Sequence, residues 1–371
     1  FQKKIFSIII KKCILLILFF NNMKSKSTSL SRRDFFVKTS AVTAGISLVG
    51  TKLWGSPVYI RDLLKPDSKI NGVQLGLITY SFREMKDQSA DATLQYILDC
   101  GINRIELMGR TAESFIGRPE NKLDRRKLYS LMRKQRNDEL TELDAKELKE
   151  LKLQNVHYEK EVEQWNKNRS LEKFTSLRKM YNSAGVEIYA FKPNYLLKST
   201  NSDADINYAM QAGKILGATH VTLELPIDKS HTLKLGQMAE KNGIYVAYHG
   251  HEQQHPTWWD TALEQSPNNA MNLDLGHYTA AGNTDSIELI KNKNKNILSM
   301  HVKDRQNPEH GKNNVSFGLG DTPIKEVLQL MRNNKYTFPA TIEYEYKTPD
   351  GSSIISEIKK SIAYCKDALE S

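Results

Sequence analysis

The segment NLDLGH, residues 272–277, sets Asp274 and His277 three residues apart at the end of an apolar run. An unpaired carboxylate inside a strand is costly to desolvate, so Asp274 needs a partner from elsewhere in the chain. Similar residues recur where other apolar runs end. They are Glu106 in RIELM, Lys192 in AFKP, Glu224 in VTLELP, His249 and His251 in YHGHE, His301 and Lys303 in HVKD, and Glu343 and Glu345 in TIEYE. Carboxylates and imidazoles in such number suit a divalent cation, general acid–base catalysis, or both. One divalent ion shared between carboxylates and an imidazole would make Asp274 tolerable.

Those residues need elements that bring them together. The strand-like segments are 73–80, 104–108, 187–192, 220–225, 244–249, 270–275, 297–303 and 339–345, with helical patterns between them. Several helical patterns close on Gly or Asn just past the last apolar position, as helix C-caps do. Eight strands, each followed by a helix, predict an α/β chain folded as a closed (β/α)8 TIM barrel over 72–371. An open dinucleotide-binding sheet lacks its motif, since no GxGxxG follows the first strand. In a parallel barrel the C-terminal strand ends share one mouth, and the polar residues named above fall at those ends. Stability is expected to rest on apolar layers below the mouth. Residues 119–180, rich in Lys, Glu and Leu of mixed sign, predict a solvated helical insertion between strands 2 and 3, without chemistry.

The net charge of +10 is located at the N-terminus. Residues 1–55 hold ten Lys or Arg against the single acid Asp34, a charge of +9, which leaves +1 for the rest. A nearly neutral body argues against a nucleic-acid partner. Within this leader, SRRDFFVKTS places Arg32-Arg33 before Phe35-Phe36, and a mildly apolar stretch of small residues follows. The pattern resembles a twin-arginine export signal, implying a periplasmic or cell-envelope location. Met23 stands where such a signal starts; the residues before it read as upstream sequence translated in error or as an extra anchor. The apolar run Cys13–Phe20 is too short to span a bilayer, so no stable membrane span is expected beyond the leader. The three cysteines, Cys13, Cys100 and Cys365, form no CxxC pair, which excludes a thiolate zinc site and a disulfide framework.

The ordered series VTLELP, YHGHE, NLDLGH, HVKD and TIEYE on successive strands resembles the xylose-isomerase-like barrels. That superfamily holds sugar phosphate isomerases, ketose epimerases, dehydratases and, more remotely, endonuclease-IV-type enzymes. The resemblance spans nearly everything after the leader. It implies that Glu224, Asp274, His301 and a Glu of the last strand bind one divalent ion, Mn²⁺, Mg²⁺ or Co²⁺, with Zn²⁺ also compatible. Glu343 matches the family's strand length, with Glu345 as the alternative. His251 and His277 would touch substrate, and His249 lies one step deeper. Lys192 and Lys303 would offer positive charge to an enolate, or else extend along the rim. Glu106 reads as a carboxylate behind the ligands or as a partner for one of the lysines.

The implied activity is a metal-dependent sugar isomerase or epimerase. Glu224 and Glu343, on strands four and eight, would remove and return a proton beside a carbonyl through an enediolate. The same site would serve a lyase or dehydratase on a keto-sugar if a leaving group were expelled instead. An endonuclease would need more metal ligands and a basic surface, and a non-catalytic sugar-binding barrel would not need two such carboxylates. Outside the cytoplasm an unphosphorylated sugar is the expected substrate, and a homo-oligomer is compatible with the sequence. The Gly-rich FGLGD, 317–321, reads as a plain turn or as backbone approaching a ligand. Trp258-Trp259 reads as a wall against a sugar face or as helix packing.

Overall fold

In a computed structural model, which describes residues 65–193 and 196–371, eight parallel strands close into a barrel. The leader with its Arg32-Arg33 pair lies outside the described residues. The strands are β1 Val73–Ile78, β2 Arg104–Met108, β3 Glu187–Lys192 and β4 His220–Glu224, then β5 Tyr245–His249, β6 Asn269–Asp274, β7 Ile297–Val302 and β8 Ala340–Ile342. β1 pairs with β2 at Leu77–Ile105 and with β8 at Leu75–Ala340, which closes the ring. At its N-terminal end Lys69–Ile70 folds back antiparallel on β1. The turn is Asn71-Gly72, both at positive φ (47° and 90°), the backbone that tight hairpins require. β8 stops at Ile342, three residues short of the predicted end, so Glu345 is placed by the following loop.

The helices enclosing the barrel are α1 Ala90–Cys100, α2 Gly109–Phe115, α3 Arg125–Arg136, α4 Glu142–Asn168, α5 Glu172–Ser183 and α6 Asp203–Leu216. After them come α7 Lys229–Asn242, α8 Asp260–Gln265, α9 Leu275–Ala280, α10 Ser286–Lys293, α11 Ile324–Asn334 and α12 Ile354–Glu370. Helix α6 starts on a Ser202–Asp205 capping box and ends on Gly217 at φ 90°. Helix α11 turns left-handed on Lys335 rather than on its Asn pair. Of the stretch 119–180, α3 and α4 hold each other through a small separate cluster of Leu128, Leu131 and Leu148. α5 instead buries Phe174, Leu177 and Tyr181 in the main core and belongs to the barrel's helix layer. Among the described residues no helix is long and apolar enough to cross a membrane.

Strand alternation separates two environments. Outward residues such as Val221 and Phe191 pack on the helices, and a Cβ on Gly213 of α6 would meet both. Inward residues are not the apolar layers expected from the sequence. Tyr189 is hydrogen-bonded to Thr341 across the barrel, and His220 Nε2 lies 2.9 Å from Ser299 Oγ. One layer higher, Thr222 Oγ1 donates to Glu106 Oε1 at 2.6 Å. Tyr189, His220 and Thr222 are thus each answered by a polar group across the barrel, which removes most of the cost of burying them. The apolar core lies between strands and helices. Burial pushes the His220 imidazole down to about 4, although Glu106 pulls the other way, so it is neutral at pH 7.

Candidate functional site

Register places the mouth residues level with one another. Glu224 pairs with His249 across β4–β5, and Asp274 pairs with His301 across β6–β7. The centre of the group is His301, fully buried. Its Nε2 lies 2.7 Å from Glu106 Oε2; its Nδ1 lies 3.2 Å from Glu343 Oε2 and 3.6 Å from Asp274 Oδ2. Glu106 also accepts from Asn272 Nδ2 at 3.2 Å. Burial alone would raise the Glu106 carboxyl, but His301, Lys192 and Thr222 hold it at about 2. An ionised Glu106 only accepts hydrogen bonds, so His301 must present Nε2–H to it. The Nδ1 lone pair then faces two carboxylates, an arrangement that requires a proton or a cation. Without a cation, burial disfavours a charged His301, yet Glu106, Glu343 and Asp274 raise its pKa well above the ordinary value.

Asp274 answers its own desolvation in two ways. Its Oδ1 caps α9 by accepting from His277 N at 2.7 Å. Its Oδ2 takes no directed hydrogen bond and faces Lys303 Nζ at 3.1 Å, His301 Nδ1 at 3.6 Å and His249 Nε2 at 3.9 Å. Burial opposes its ionisation, but Lys303, His277 and His301 keep the carboxyl well below the usual range. Lys303 sits inside this cluster and not on the rim. Its ammonium lies 2.9 Å from Glu343 and 2.7 Å from Glu345. Burial would lower its pKa, and Asp274, Glu343 and Glu345 raise it. Glu343 reaches both His301 and Lys303, while the contact of Glu345 is with Lys303.

Glu224 is brought to the edge of the group. It is half-exposed, with Oε1 3.1 Å from Lys192 Nζ and Oε2 3.2 Å from His251 Nδ1. Burial raises its pKa, but His251 and Lys192 outweigh that and hold it below the ordinary value. The hydrogen bond to Glu224 raises His251 in turn. His249 is buried with Nδ1 unpartnered, and burial lowers it well below the ordinary imidazole value. His277 meets Arg305, whose Nη1 lies 2.5 Å from His277 Nδ1. Arginine only donates, so the Nδ1 lone pair is taken and the ring proton stands on Nε2.

Among the described residues two groups of side chains are spaced closely enough to hold a metal: His249, His251 and His277, and His249, Asp274 and His301. The first is disqualified by Arg305, because His277 then offers an N–H to the mouth in place of a lone pair. The second has the chemistry of a cation site. His301 Nδ1 turns its lone pair toward Asp274 Oδ2, and Glu343 Oε2 approaches the same nitrogen from outside that group, with Glu106 fixing the imidazole from behind. Charge agrees: Glu106, Glu224, Glu252, Asp274, Glu343 and Glu345 outnumber the fixed cations Lys192, Lys303, Arg305 and Lys312. The residues fit a divalent ion.

Sequence reasoning passed over Arg305, Asp304 and Glu252. Arg305 Nη2 lies 2.8 Å from Glu252 Oε1. Asp304 organises the Gly-rich segment after β7, accepting from Gly318 N, Gly320 N and Thr322 N at 2.7, 3.0 and 3.3 Å. Burial raises the Asp304 carboxyl, and those N–H groups pull it back. The signal was available in HVKDR, whose Asp and Arg directly follow the residues singled out. Trp258 and Trp259 pack beneath the mouth: Trp259 is fully buried and donates to Tyr248 O at 3.0 Å, and Trp258 lies against Gly250.

A family model described as the xylose isomerase-like TIM barrel matches residues 161–368. No curated protein matches the chain. A solved sugar phosphate isomerase/epimerase from Parabacteroides distasonis superposes with a TM-score of 0.50 at 15% identity, over 79% of this chain and 93% of that one. A probable 3-DHS dehydratase from Bacillus anthracis gives 0.53 at 14% identity, over 78% and 98%. A structure of the IOLI protein with a bound zinc atom gives 0.51 at 15% identity, over 80% and 98%. These likenesses lie in the fold.

Proposed function

The chain belongs to the xylose isomerase-like TIM barrel family, and from that premise we propose that it is a divalent-metal-dependent sugar isomerase or epimerase. The observation that carries this reading is the lone pair of His301 Nδ1 facing Glu343 Oε2 at 3.2 Å and Asp274 Oδ2 at 3.6 Å, with Glu106 behind the ring. Asp274, His301 and Glu343 would hold the ion, with Glu224 at the edge of the group. When bound, a divalent ion supplies Lewis acidity to neighbouring substrate oxygens beside a carbonyl. A structural neighbour solved with zinc accords with this reading.

Glu224 is the accessible carboxylate, and it takes the proton from the carbon next to the carbonyl. The C–H electron pair becomes the C=C bond of an enediolate, and the carbonyl oxygen takes the negative charge. Lys192 lies beside Glu224 and steadies charge developing there. His277 Nε2–H donates to a substrate oxygen. Return of that proton by Glu224 to the neighbouring carbon yields the isomer, and delivery of a proton taken up from solvent, through Glu343, to the other face yields the epimer. Expulsion of a β-substituent from the same enediolate would make the enzyme a lyase. From Arg32-Arg33 we also infer export by the twin-arginine route.

The test is metal content followed by incubation with free ketoses in D₂O. One divalent ion per chain and deuterium at the carbon beside the carbonyl are expected. Tight sugar binding without exchange would replace the enzyme with a binding module, and an unsaturated product would replace the isomerase with a lyase.

A further inference from the structure

The loop after β7 gathers backbone N–H groups around one point. Gly318 N and Gly320 N lie 2.7 and 3.0 Å from Asp304 Oδ2, and Thr322 N lies 3.3 Å from Oδ1. N–H groups gathered in this way form an anion-binding concavity. In TIM barrels the loops after strands seven and eight are a common place for a substrate phosphate. Here the anion is part of the chain. Asp304 is only 2% exposed, and a Cβ on Gly320 would collide with Asp304 Oδ1, so the loop is shaped around that carboxylate.

The cations of the mouth are engaged as well. Lys192 faces Glu224, Lys303 faces Asp274, Glu343 and Glu345, and Arg305 faces Glu252 at 2.8 Å. Lys312 also faces Glu252, at 3.7 Å, so four cations stand against the six carboxylates already named, and a divalent ion brings the mouth to neutrality with no named cation left unpaired. A phosphate dianion entering it would meet engaged N–H groups and paired cations, with no surplus positive charge to receive it.

Resting on the isomerase reading above, we propose that this mouth takes an uncharged sugar and refuses its phosphate ester, with Asp304 closing the β7 loop to phosphate. Asp304 acts as a specificity-determining residue through the loop, and the expectation of an unphosphorylated substrate no longer depends on the leader alone.

Inorganic phosphate tests this without turnover. Titrated to millimolar concentration into the full chain, it should leave the Gly318 and Gly320 amide resonances unmoved, and a saturable shift overturns the inference. A free ketose and its monophosphate are then compared by deuterium exchange, where kcat/KM for the ester should be lower by about 100-fold or more. Comparable or better use of the ester overturns the specificity while leaving the isomerase reading intact. Exchange with neither sugar overturns that reading, and the phosphate titration still decides the inference. Asp304→Ala opens the nest and should bind phosphate at least about tenfold more tightly than the parent. Asp304→Ser serves if the alanine variant does not fold. A folded variant that ignores phosphate overturns the role given to Asp304.

Discussion

His301 shows how much of the site depends on one proton. Its Nε2–H is committed to Glu106 at 2.7 Å, so its other nitrogen belongs to whatever stands between Asp274 and Glu343. Removing ligands should therefore differ from removing the residue behind them. Asp274→Asn and His301→Ala are expected to lose the ion altogether. Glu106→Gln keeps an acceptor for Nε2–H and loses only the charge, so metal affinity should fall roughly tenfold, and Glu106→Ala, which frees the ring, nearer a hundredfold. Equilibrium dialysis with Mn²⁺ measures both, and parent-like affinity in Glu106→Ala would remove its orienting role. The two catalytic glutamates separate by a different readout. Glu224→Gln and Glu343→Gln cannot accept a proton at neutral pH, so turnover should drop about 10²–10⁴-fold in each. Only Glu224→Gln should abolish substrate deuterium exchange, while Glu343→Gln also weakens metal binding and Glu345→Gln retains both activities. Exchange surviving in Glu224→Gln would assign the base elsewhere.

At the scale of elements, the sequence carried the strands well and the interior poorly. Strands β1–β7 lie within two residues of their predicted ends, because apolar runs bounded by polar exits mark them. What the sequence did not show is that Thr222, Asn272, His220 and Ser299 face one another inside the barrel, since cross-barrel partners have no sequence spacing in common. Glu106 was equally ambiguous as one carboxylate in RIELM, and the contact with His301 decided its reading. From the sequence Lys303 stays open between a charge for an enolate and a lysine along the rim, because HVKD gives no sign of three carboxylates closing around it. The polar interior has a measurable consequence at His220. Its folded pKa of about 4 lies below the ordinary imidazole value near 6.5, so folding keeps it neutral. The stability it contributes is complete above pH 6.5 and is lost as pH falls toward 4, on the order of 3 kcal/mol. His220→Gln retains a partner for Ser299 and cannot charge. Urea unfolding of parent and variant at pH 7 and pH 4 should show the variant losing less stability on acidification, and parallel losses would mean that His220 ionises freely in the fold.

At the scale of the whole molecule, charge is divided between a basic leader and a barrel section near neutrality. Residues 1–55 carry +9 of the +10, so nothing in the bulk charge of the barrel draws it to a polyanion. The named cations of the mouth are paired and its loop nest is filled by Asp304, which suits a neutral sugar. A twin-arginine route would carry the barrel across the membrane already folded, with its buried His301 cluster formed where metal is supplied. That route requires the arginine pair itself, not only its charge, so Arg32→Lys with Arg33→Lys is a discriminating change. The double variant keeps the leader at +9 and leaves every residue of the barrel untouched. It should accumulate in the cytoplasm as metal-loaded, exchange-competent protein, measured by cell fractionation and D₂O exchange on the cytoplasmic fraction. An unchanged periplasmic or surface fraction would sink the export inference. Cytoplasmic protein that lacks the ion would separate export from metal loading and place loading after transport.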